Sequence, residues 1–321
     1  MAEVARSHGL NIMGTSNLRS RVQVQGSDPF TFQNFLSKFE TLRLFYRSPE
    51  VIGRVTREAI EDAAHDNVRY MELRFTPVAL SVSQGFPLPE VIDWVIQHTA
   101  DASREFGVVT RLIISMNRHE SLKIAEQVVE LAIERLNKGI CGLDLAGNEA
   151  EFSARPFSDL FRQAHGAGLN ITVHAGEWGG AANIAEALVF LNAQRIGHGV
   201  RVFEDPAVVD MARTLQPVFE VCVTSNYQSG VVPVLSDHPF SRMLSADLNA
   251  TINTDDPSVS GISLSDEYRI VHETLGLSLD TLLDRILAAL KAGFLPADEK
   301  AELEQRIRRD FTQALKDFKL A

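Results

Sequence analysis

Short apolar runs alternate along the chain with longer segments whose apolar residues recur at helical spacing. The apolar, β-branched runs predict seven strands, at Val68–Phe75, Val108–Met116, Ile140–Leu145, Leu169–His174, Arg195–His198, Pro217–Val223 and Ala250–Thr254. Helical periodicity predicts helices between them, at Ser48–Asp66, Leu88–Phe106, Glu120–Lys138, Phe157–Ala167, Ala182–Leu191 and Pro206–Thr214. Strands that alternate with helices without a break indicate a parallel sheet covered by helices.

The spacing of these strands favours a closed barrel. The strands recur roughly every 25 to 40 residues, close to the period of an α/β protein of the (β/α)8 TIM-type barrel class. An open doubly wound sheet is the alternative, but the sequence has no G-x-G-x-x-G turn. No linker or composition shift divides the chain, so we expect a single domain over residues 1–321. A helix over residues 2–10, capped by Gly9, precedes the first predicted strand, so the eighth strand is expected upstream of Met1.

Composition narrows the class of partner. The 321 residues carry a formal net charge of -11, which disfavours nucleic acid or an anionic membrane surface and fits a small ligand that is neutral or positively polarised. The sequence contains neither a long apolar span nor a signal-peptide pattern, so a cytoplasmic location is expected. Cys141 and Cys222 lie in apolar runs and are interpreted as buried, reduced thiols.

The candidate chemistry begins at Val173–Glu177, where an apolar strand ends in glycine. His174 and Glu177 fall at the carboxyl end of this strand, the edge at which parallel α/β proteins place their functional residues. His174 is either a metal ligand or a buried structural histidine. Glu177 is either a general acid, if its pocket raises its pKa, or a cap for the helix that begins near Ala182.

Four further residues follow other predicted strands. His198 lies between two glycines, which allow close approach of a ligand, although a surface turn is the alternative. Asp255 and Asp256 end the last strand before Pro257, so one carboxylate can bind a cation while the other contacts substrate, unless both belong to an ordinary acidic turn. Gly147 can offer its backbone N–H to a ligand or simply make a turn. Their shared position at strand ends favours a single site.

In combination these motifs resemble one family, the adenosine deaminases, which are metal-dependent hydrolases among the amidohydrolase barrels. The resemblance covers most of the chain and rests on Phe35–Phe39, Val68–Phe75, Gly142–Glu149, Val173–Glu177, Arg195–Arg201, Thr224–Asn226, His238–Pro239, Asn253–Pro257 and Phe294–Pro296. It implies a barrel with one Zn²⁺ at its mouth and hydrolytic loss of ammonia from the 6-position of a purine.

The resemblance also implies roles for the individual residues. It makes His174 and Asp255 zinc ligands, and Asp255 in addition the acceptor of a proton from the attacking water. Glu177 would protonate N1 of the purine, and His198 would orient the water. Gly147 and Asp256 would contact N3 and N7 of the purine.

Two departures from the family pattern stand out. The sequence has no His-x-His pair, which in the family's first strand supplies two zinc ligands. His174 and Asp255 are only two protein ligands, whereas catalytic zinc sites normally have at least three. His8 is not expected to substitute, because it lies near the end of the first helix. Asn148 stands where the family usually has aspartate.

These departures leave three hypotheses. The first is a purine deaminase whose N-terminal segment is missing from this sequence, which predicts a His-x-His encoded in frame upstream, weak zinc binding and slow turnover. The second is a non-catalytic relative that binds purines without a metal; retention of Glu177, His198 and Asp255 disfavours it. The third is a deaminase of adenine or another aminopurine. Tyr227 and Gln228 would either line the outer pocket or cover the barrel rim.

Overall fold

The computed structural model describes residues 2–10 and 15–320, and its strands form one parallel sheet. Each strand pairs with the next along the chain, in the order β1 to β7. The strands are β1 (Tyr70–Phe75), β2 (Val109–Asn117), β3 (Ile140–Ala146), β4 (Asn170–Ala175), β5 (Arg195–His198), β6 (Val218–Val221) and β7 (Asn249–Ile252). All seven predicted strands are confirmed, with ends that differ from the prediction by at most two residues.

Helices connect the strands and cover the outside of the sheet. They are α1 (Ala2–Ser7), α2 (Thr15–Val22), α3 (Phe32–Arg43), α4 (Pro49–His65), α5 (Pro77–Ser81), α6 (Leu88–Phe106), α7 (Leu122–Ile133), α8 (Ser158–Gly166), α9 (Ala181–Phe190), α10 (Pro206–Leu215), α11 (Val223–Gln228), α12 (Phe240–Ser245), α13 (Pro257–Ser260), α14 (Leu264–Glu273), α15 (Leu279–Ala292) and α16 (Ala297–Leu320). The predicted helix Glu120–Lys138 ends earlier, at Ile133, and a 3-10 turn over Leu136–Lys138 leads into Gly139, whose φ of 106° no helix accommodates.

The strands β2 to β5 are largely buried on both faces, as expected for parallel strands covered by helices, whereas the edge strand β1 is partly exposed. In β3 every residue from Ile140 to Leu145 is buried. Cys141 and Cys222 are buried free thiols, and burial raises the pKa of both, so their predicted structural state is confirmed.

Successive strands curl the sheet into a half-barrel whose edges are β1 and β7. Within residues 2–10 and 15–320, these two strands pair with no further strand. The segment before α3 approaches the β7 side, where Val24 donates its backbone N–H to the carbonyl of Val259 at 2.8 Å. This curl directs the carboxyl ends of the strands toward a common mouth. Of the helices in the described residues, none combines the length and apolarity needed to cross a membrane.

Candidate active site

The carboxyl ends of β4, β5 and β7 bring three metal-binding side chains together. One ligand atom from each of His174, His198 and Asp255 lies within 4.8 Å of the other two. These residues are far apart in sequence, and the parallel strand order alone places them at one end of the sheet. The sequence prediction that they share one site is consistent with this geometry.

Two of the three residues hold unusual backbone conformations. His198 has a φ of 63° and Asp255 a φ of 58°, both in the left-handed region that non-glycine residues rarely occupy. A side chain at Gly197 would lie 3.2 Å from Cα of His174, and one at Gly199 would collide with the ring of Phe219 at 2.3 Å. Gly197 therefore lets β5 pack closely against His174, and Gly199 makes room for the ring of Phe219.

The ring of His198 lies between an amide and a carboxylate. Its Nδ1 is 3.1 Å from the Asn226 amide nitrogen, and its Nε2 is 3.5 Å from Oε2 of Glu177. With that amide donating to Nδ1, the ring hydrogen sits on Nε2 and points toward Glu177. Burial lowers the pKa of His198 to about 4, although the charge of Asp255 acts in the opposite direction. At neutral pH His198 is a neutral N–H donor.

Glu177 is buried at 6% exposure, and its carboxylate faces His198. Burial raises the pKa of Glu177 well above its usual range, and the charges of Asp255 and Glu149 add to the effect. The alternative role as a helix cap is wrong, because α9 begins after Gly180 and has no side-chain cap. The environment therefore favours a protonated Glu177, which is the form that a general acid needs.

Glu149, which sequence analysis did not single out, holds the loop that carries Glu177. Its two carboxylate oxygens accept the backbone N–H groups of Gly176, Glu177 and Trp178 at 2.8, 2.6 and 2.8 Å. Asn183 also donates its side-chain amide to the Glu149 carbonyl at 2.8 Å. A lone glutamate after a glycine turn gives no signal in the sequence that it will bind a loop 27 residues away.

Asp255 and Asp256 occupy different surroundings at the end of β7. Asp255 lies at the mouth with part of its surface open to solvent, while its carboxylate is surrounded by protein and accepts the Ser225 hydroxyl at 2.7 Å. Enclosure raises the pKa of Asp256 well above its usual range, and the charge of Asp255 raises it further. Enclosure acts on Asp255 in the same direction, but the facing imidazoles of His198 and His174 outweigh it and lower its pKa. The pair therefore presents one carboxylate and one carboxylic acid.

His174 is positioned by two residues that sequence analysis did not identify as functional. Its Nδ1 lies 3.0 Å from Oδ1 of the fully buried Asp144 in β3, and Arg74 in β1 places Nη1 3.4 Å from both ring nitrogens. Burial alone would raise the pKa of Asp144, but Arg74 and His174 outweigh it and hold that pKa well below its usual range. Arg74 and Asp144 both lie inside predicted strands, where charged residues are unusual. A charged residue within an apolar strand is therefore the sequence signal that could have identified them.

Gly147 has a φ of 90°, and a side chain there would lie 3.1 Å from the backbone nitrogen of Arg118. The turn itself requires glycine, so a substrate contact by Gly147 stays a prediction. Tyr227 packs edge-on against Phe30, with ring centroids 5.0 Å apart, and Gln228 donates to the Ser260 carbonyl at 3.1 Å. These contacts fit the rim-covering alternative for Tyr227 and Gln228.

The sequence matches known deaminases over nearly its whole length. The family model described as adenosine deaminase matches residues 1–310. An adenosine deaminase of Klebsiella pneumoniae (strain 342) is 38% identical over 293 residues, which are 91% of this chain and 87% of the relative.

Solved structures of related enzymes share the fold. The adenine deaminase of Arthrobacter aurescens has a TM-score of 0.88 at 28% identity, covering 97% of this chain and 93% of that one. Arabidopsis ADAL in complex with GMP has a TM-score of 0.84 at 28% identity, covering 97% and 91%. The half-barrel is thus an amidohydrolase TIM-barrel fold. The chain belongs to the adenosine deaminase family.

Proposed function

We propose that this protein catalyses the zinc-dependent hydrolytic deamination of a 6-aminopurine nucleoside, converting adenosine or deoxyadenosine and water to the corresponding inosine nucleoside and ammonia. The observation that carries the proposal is the cluster at the strand ends, in which a buried acid, Glu177, faces the His174, His198 and Asp255 group. The family supports a deaminating hydrolase, and the nucleoside is our choice of substrate.

The donor atoms of this cluster suit Zn²⁺. Imidazole nitrogens and a carboxylate oxygen are its usual ligands in catalytic sites, and three protein ligands are the usual number. We assign His174 and Asp255 as zinc ligands, whereas His198 has no free lone pair for a metal ion, because its Nδ1 accepts from Asn226 and its Nε2 carries the hydrogen. When bound, Zn²⁺ lowers the pKa of water to about 7 and so makes hydroxide available at neutral pH.

The protein's own residues divide the proton transfers. Asp255, whose lowered pKa keeps it ionised, accepts a proton from the attacking water, and His198 orients that water through its Nε2 hydrogen. Glu177 donates its proton to purine N1 as oxygen adds to C6, which spares the ring a negative charge. The proton that Asp255 accepted then passes to the amino group as the C6 to nitrogen bond breaks and ammonia leaves. C6 becomes a carbonyl as its hydroxyl proton returns to Glu177.

Two residues are proposed to hold the purine. Asp256 has a raised pKa and is therefore a hydrogen-bond donor at neutral pH, which suits the acceptor nitrogen N7. The backbone N–H of Gly147 would serve N3. A proton donor such as Glu177 and a metal-side carboxylate such as Asp255 are of little use to a protein that merely binds purines, so we favour the enzyme over the non-catalytic alternative.

Adenine is the second candidate substrate, because the adenine deaminase of Arthrobacter aurescens shares the fold at 28% identity. The two candidates use the same purine-facing residues and differ in whether a sugar must fit at the mouth. Relative rates on the free base and the nucleoside therefore separate them.

The test is an ammonia-release assay on adenosine, deoxyadenosine, adenine and AMP, combined with zinc analysis. We expect the nucleosides to give the highest kcat/KM. Glu177→Gln should lower kcat by about 100-fold or more, within the range for loss of a general acid, while it keeps its zinc. The exposed Glu151→Gln is the control and should leave both unchanged. Zinc-loaded protein that releases no ammonia, or an active Glu177→Gln, would contradict the proposal.

A further inference from the structure

A cavity of about 920 Å³ opens at the amino ends of the strands, away from the candidate active site. The starts of β3 to β6 line one side of it, and the segment 291–300, which leads from α15 into α16, lines the other. Its volume lies within the range of about 300 to 1,000 Å³ that is usual for small-molecule pockets. The proposed deamination takes place at the opposite strand ends and makes no use of this cavity.

The cavity is lined by more cations than acids, in a chain whose formal net charge is -11. The charged side chains in its lining are Arg111, Arg195, Lys291, Glu299 and Lys300. Arg111 is neutralised, since its Nη2 donates to both carboxylate oxygens of Glu299, at 2.8 and 2.7 Å. Arg195 is paired with Glu72 and Glu220. The excess positive charge of the cavity is therefore that of its two lysines.

Neither lysine is paired with an acid. The Lys300 ammonium donates to the backbone carbonyl of Lys291 at 2.7 Å, and in the part of the chain that the structure describes no ion pair joins Lys291 or Lys300 to a carboxylate. A carbonyl takes one of the three N–H donors of an ammonium group and leaves its charge in place. Arg195 donates to the next carbonyl, that of Ala292, at 3.1 Å, so its charge lies near that of Lys300.

The charge of Lys300 is held in an unfavourable position. Burial lowers the pKa of Lys300 and the charge of Arg195 lowers it further, although Glu72 acts in the opposite direction. Lys291 adds a second ammonium group at the same cavity. A phosphate group carries close to two negative charges at neutral pH and three acceptor oxygens. It would therefore balance both lysines and accept their remaining N–H donors.

The uncharged part of the lining suits the rest of a phosphorylated molecule. The amide side chains of Asn137 and Gln194 line the cavity and can bond hydroxyl groups, and Leu136 and Phe294 supply apolar surface. Gln194 is fixed in place, because its Oε1 accepts the backbone N–H of Ile171 at 2.8 Å. Inorganic phosphate would fill only a small part of this volume, whereas a sugar phosphate also reaches the amides.

We propose that this cavity is a binding site for a small phosphorylated sugar, whose phosphate group lies between Lys291 and Lys300. The proposal is independent of the zinc site and of the proposed function. The ligand ties the segment 291–300 to the strand starts, and it stabilises the folded chain because it binds the folded state only.

The experiment titrates the full chain with ribose 5-phosphate, inorganic phosphate and ribose, using isothermal titration calorimetry in a buffer free of phosphate. We expect ribose 5-phosphate to bind at one site per chain, inorganic phosphate to bind more weakly, and uncharged ribose not to bind. Lys291→Gln and Lys300→Gln should each weaken the binding of ribose 5-phosphate about tenfold or more, the usual effect of losing a hydrogen bond to a charged group. Ribose 5-phosphate should also raise the thermal midpoint of the unchanged chain.

Lys123→Gln is the matched control, because it makes the same charge change at an exposed position at the start of α7, which follows the carboxyl end of β2. It should leave the affinity within about twofold of the unchanged chain. Lys300→Arg keeps the charge and should retain binding. Lys291 is exposed, so Lys291→Gln preserves the test should Lys300→Gln not fold.

Three results would overturn the proposal. Full affinity in both neutral variants would place the ligand elsewhere on the chain. Absence of saturable binding by both phosphate compounds would remove the anion site. Equal affinity for ribose 5-phosphate and inorganic phosphate would assign the site to free phosphate and remove the sugar. None of these results bears on the zinc-dependent function.

Discussion

At the scale of single residues, the same chemical group behaves differently according to its neighbours. Glu177 and Asp144 are both buried acids within the half-barrel, yet the pKa of Glu177 is raised and that of Asp144 is lowered. The difference is the cation: Asp144 lies near the Arg74 guanidinium, whereas Glu177 faces the neutral imidazole of His198 and has other acids nearby. Position in the fold, and not residue type, therefore decides which acid carries a proton at neutral pH.

Glu267 provides a test of this behaviour away from the proposed zinc ligands. It is fully buried in α14 and accepts the backbone N–H and the hydroxyl of Thr224 at 3.0 and 2.9 Å. Burial raises its pKa from 4.5 to about 7, despite these hydrogen bonds. Between these two pH values the folded protein binds a proton that the unfolded chain has released, so stability falls as pH rises.

We expect the free energy of unfolding to fall by about 3 kcal/mol more in the unchanged protein than in Glu267→Gln as pH rises through this window. Urea unfolding at a series of pH values measures the difference. Glu273→Gln, an exposed change in the same helix, should follow the unchanged protein. Parallel pH curves for the unchanged protein and Glu267→Gln would show that Glu267 is ionised in both states.

At the scale of elements, the loops after the strands are as important as the strands themselves. The loop from Gly176 to Trp178 has three backbone N–H groups that no helix or strand satisfies, and Glu149 from the loop after β3 accepts all three. One loop thus fixes its neighbour, and the position of Glu177 depends on a residue outside its own loop.

Glu149→Gln tests this dependence. The glutamine amide would turn a donor toward one of these N–H groups, so we expect a loss of about 2 kcal/mol in unfolding free energy. We also expect about tenfold lower kcat in the ammonia-release assay, because a small misplacement of an acid is costly. Glu151→Gln, an exposed change two residues away, is the control. Full activity in Glu149→Gln would mean that the loop holds its shape without this carboxylate.

At the scale of the whole molecule, the two ends of the half-barrel differ in what they do. The strand carboxyl ends carry the candidate site, while a cavity of about 920 Å³ opens at the other end, beside the starts of β3 to β6. There Phe294 lies under the guanidinium of Arg195 at 3.5 Å and donates its backbone N–H to Glu72. This end ties the segment after α15 to β1 and β5, which indicates a role in stability.

Phe294→Ala should therefore lower stability without affecting catalysis. We expect a loss of about 3 kcal/mol from lost packing and the cation contact. At a temperature where the variant is folded, kcat/KM should equal that of the unchanged enzyme. Phe190→Ala removes an exposed ring under Arg155 and should cost well under 1 kcal/mol. A drop in kcat/KM for folded Phe294→Ala would show that the two ends are coupled.

The sequence by itself determined the seven parallel strands, the main helices between them and the strand ends at which His174, Glu177, His198 and Asp255 lie. The strands, the helices and their ends follow from hydrophobic periodicity and from the positions of glycines, because both signals depend only on residues close together in the sequence. The motifs also identified the family. The single-domain assignment, the individual site roles and the cytoplasmic location stay predictions.

Only the tertiary structure decided how these residues are held and charged. The contacts of Arg74 with His174, of Glu149 with the Gly176 loop and of Asn226 with His198 join residues separated by 27 to 100 positions. Hydrogen bonds and charge interactions depend on distance in space, and the curl of the sheet sets that distance after the local elements have formed. For this reason the sequence shows which groups reach the mouth, and the fold decides which of them carry a proton.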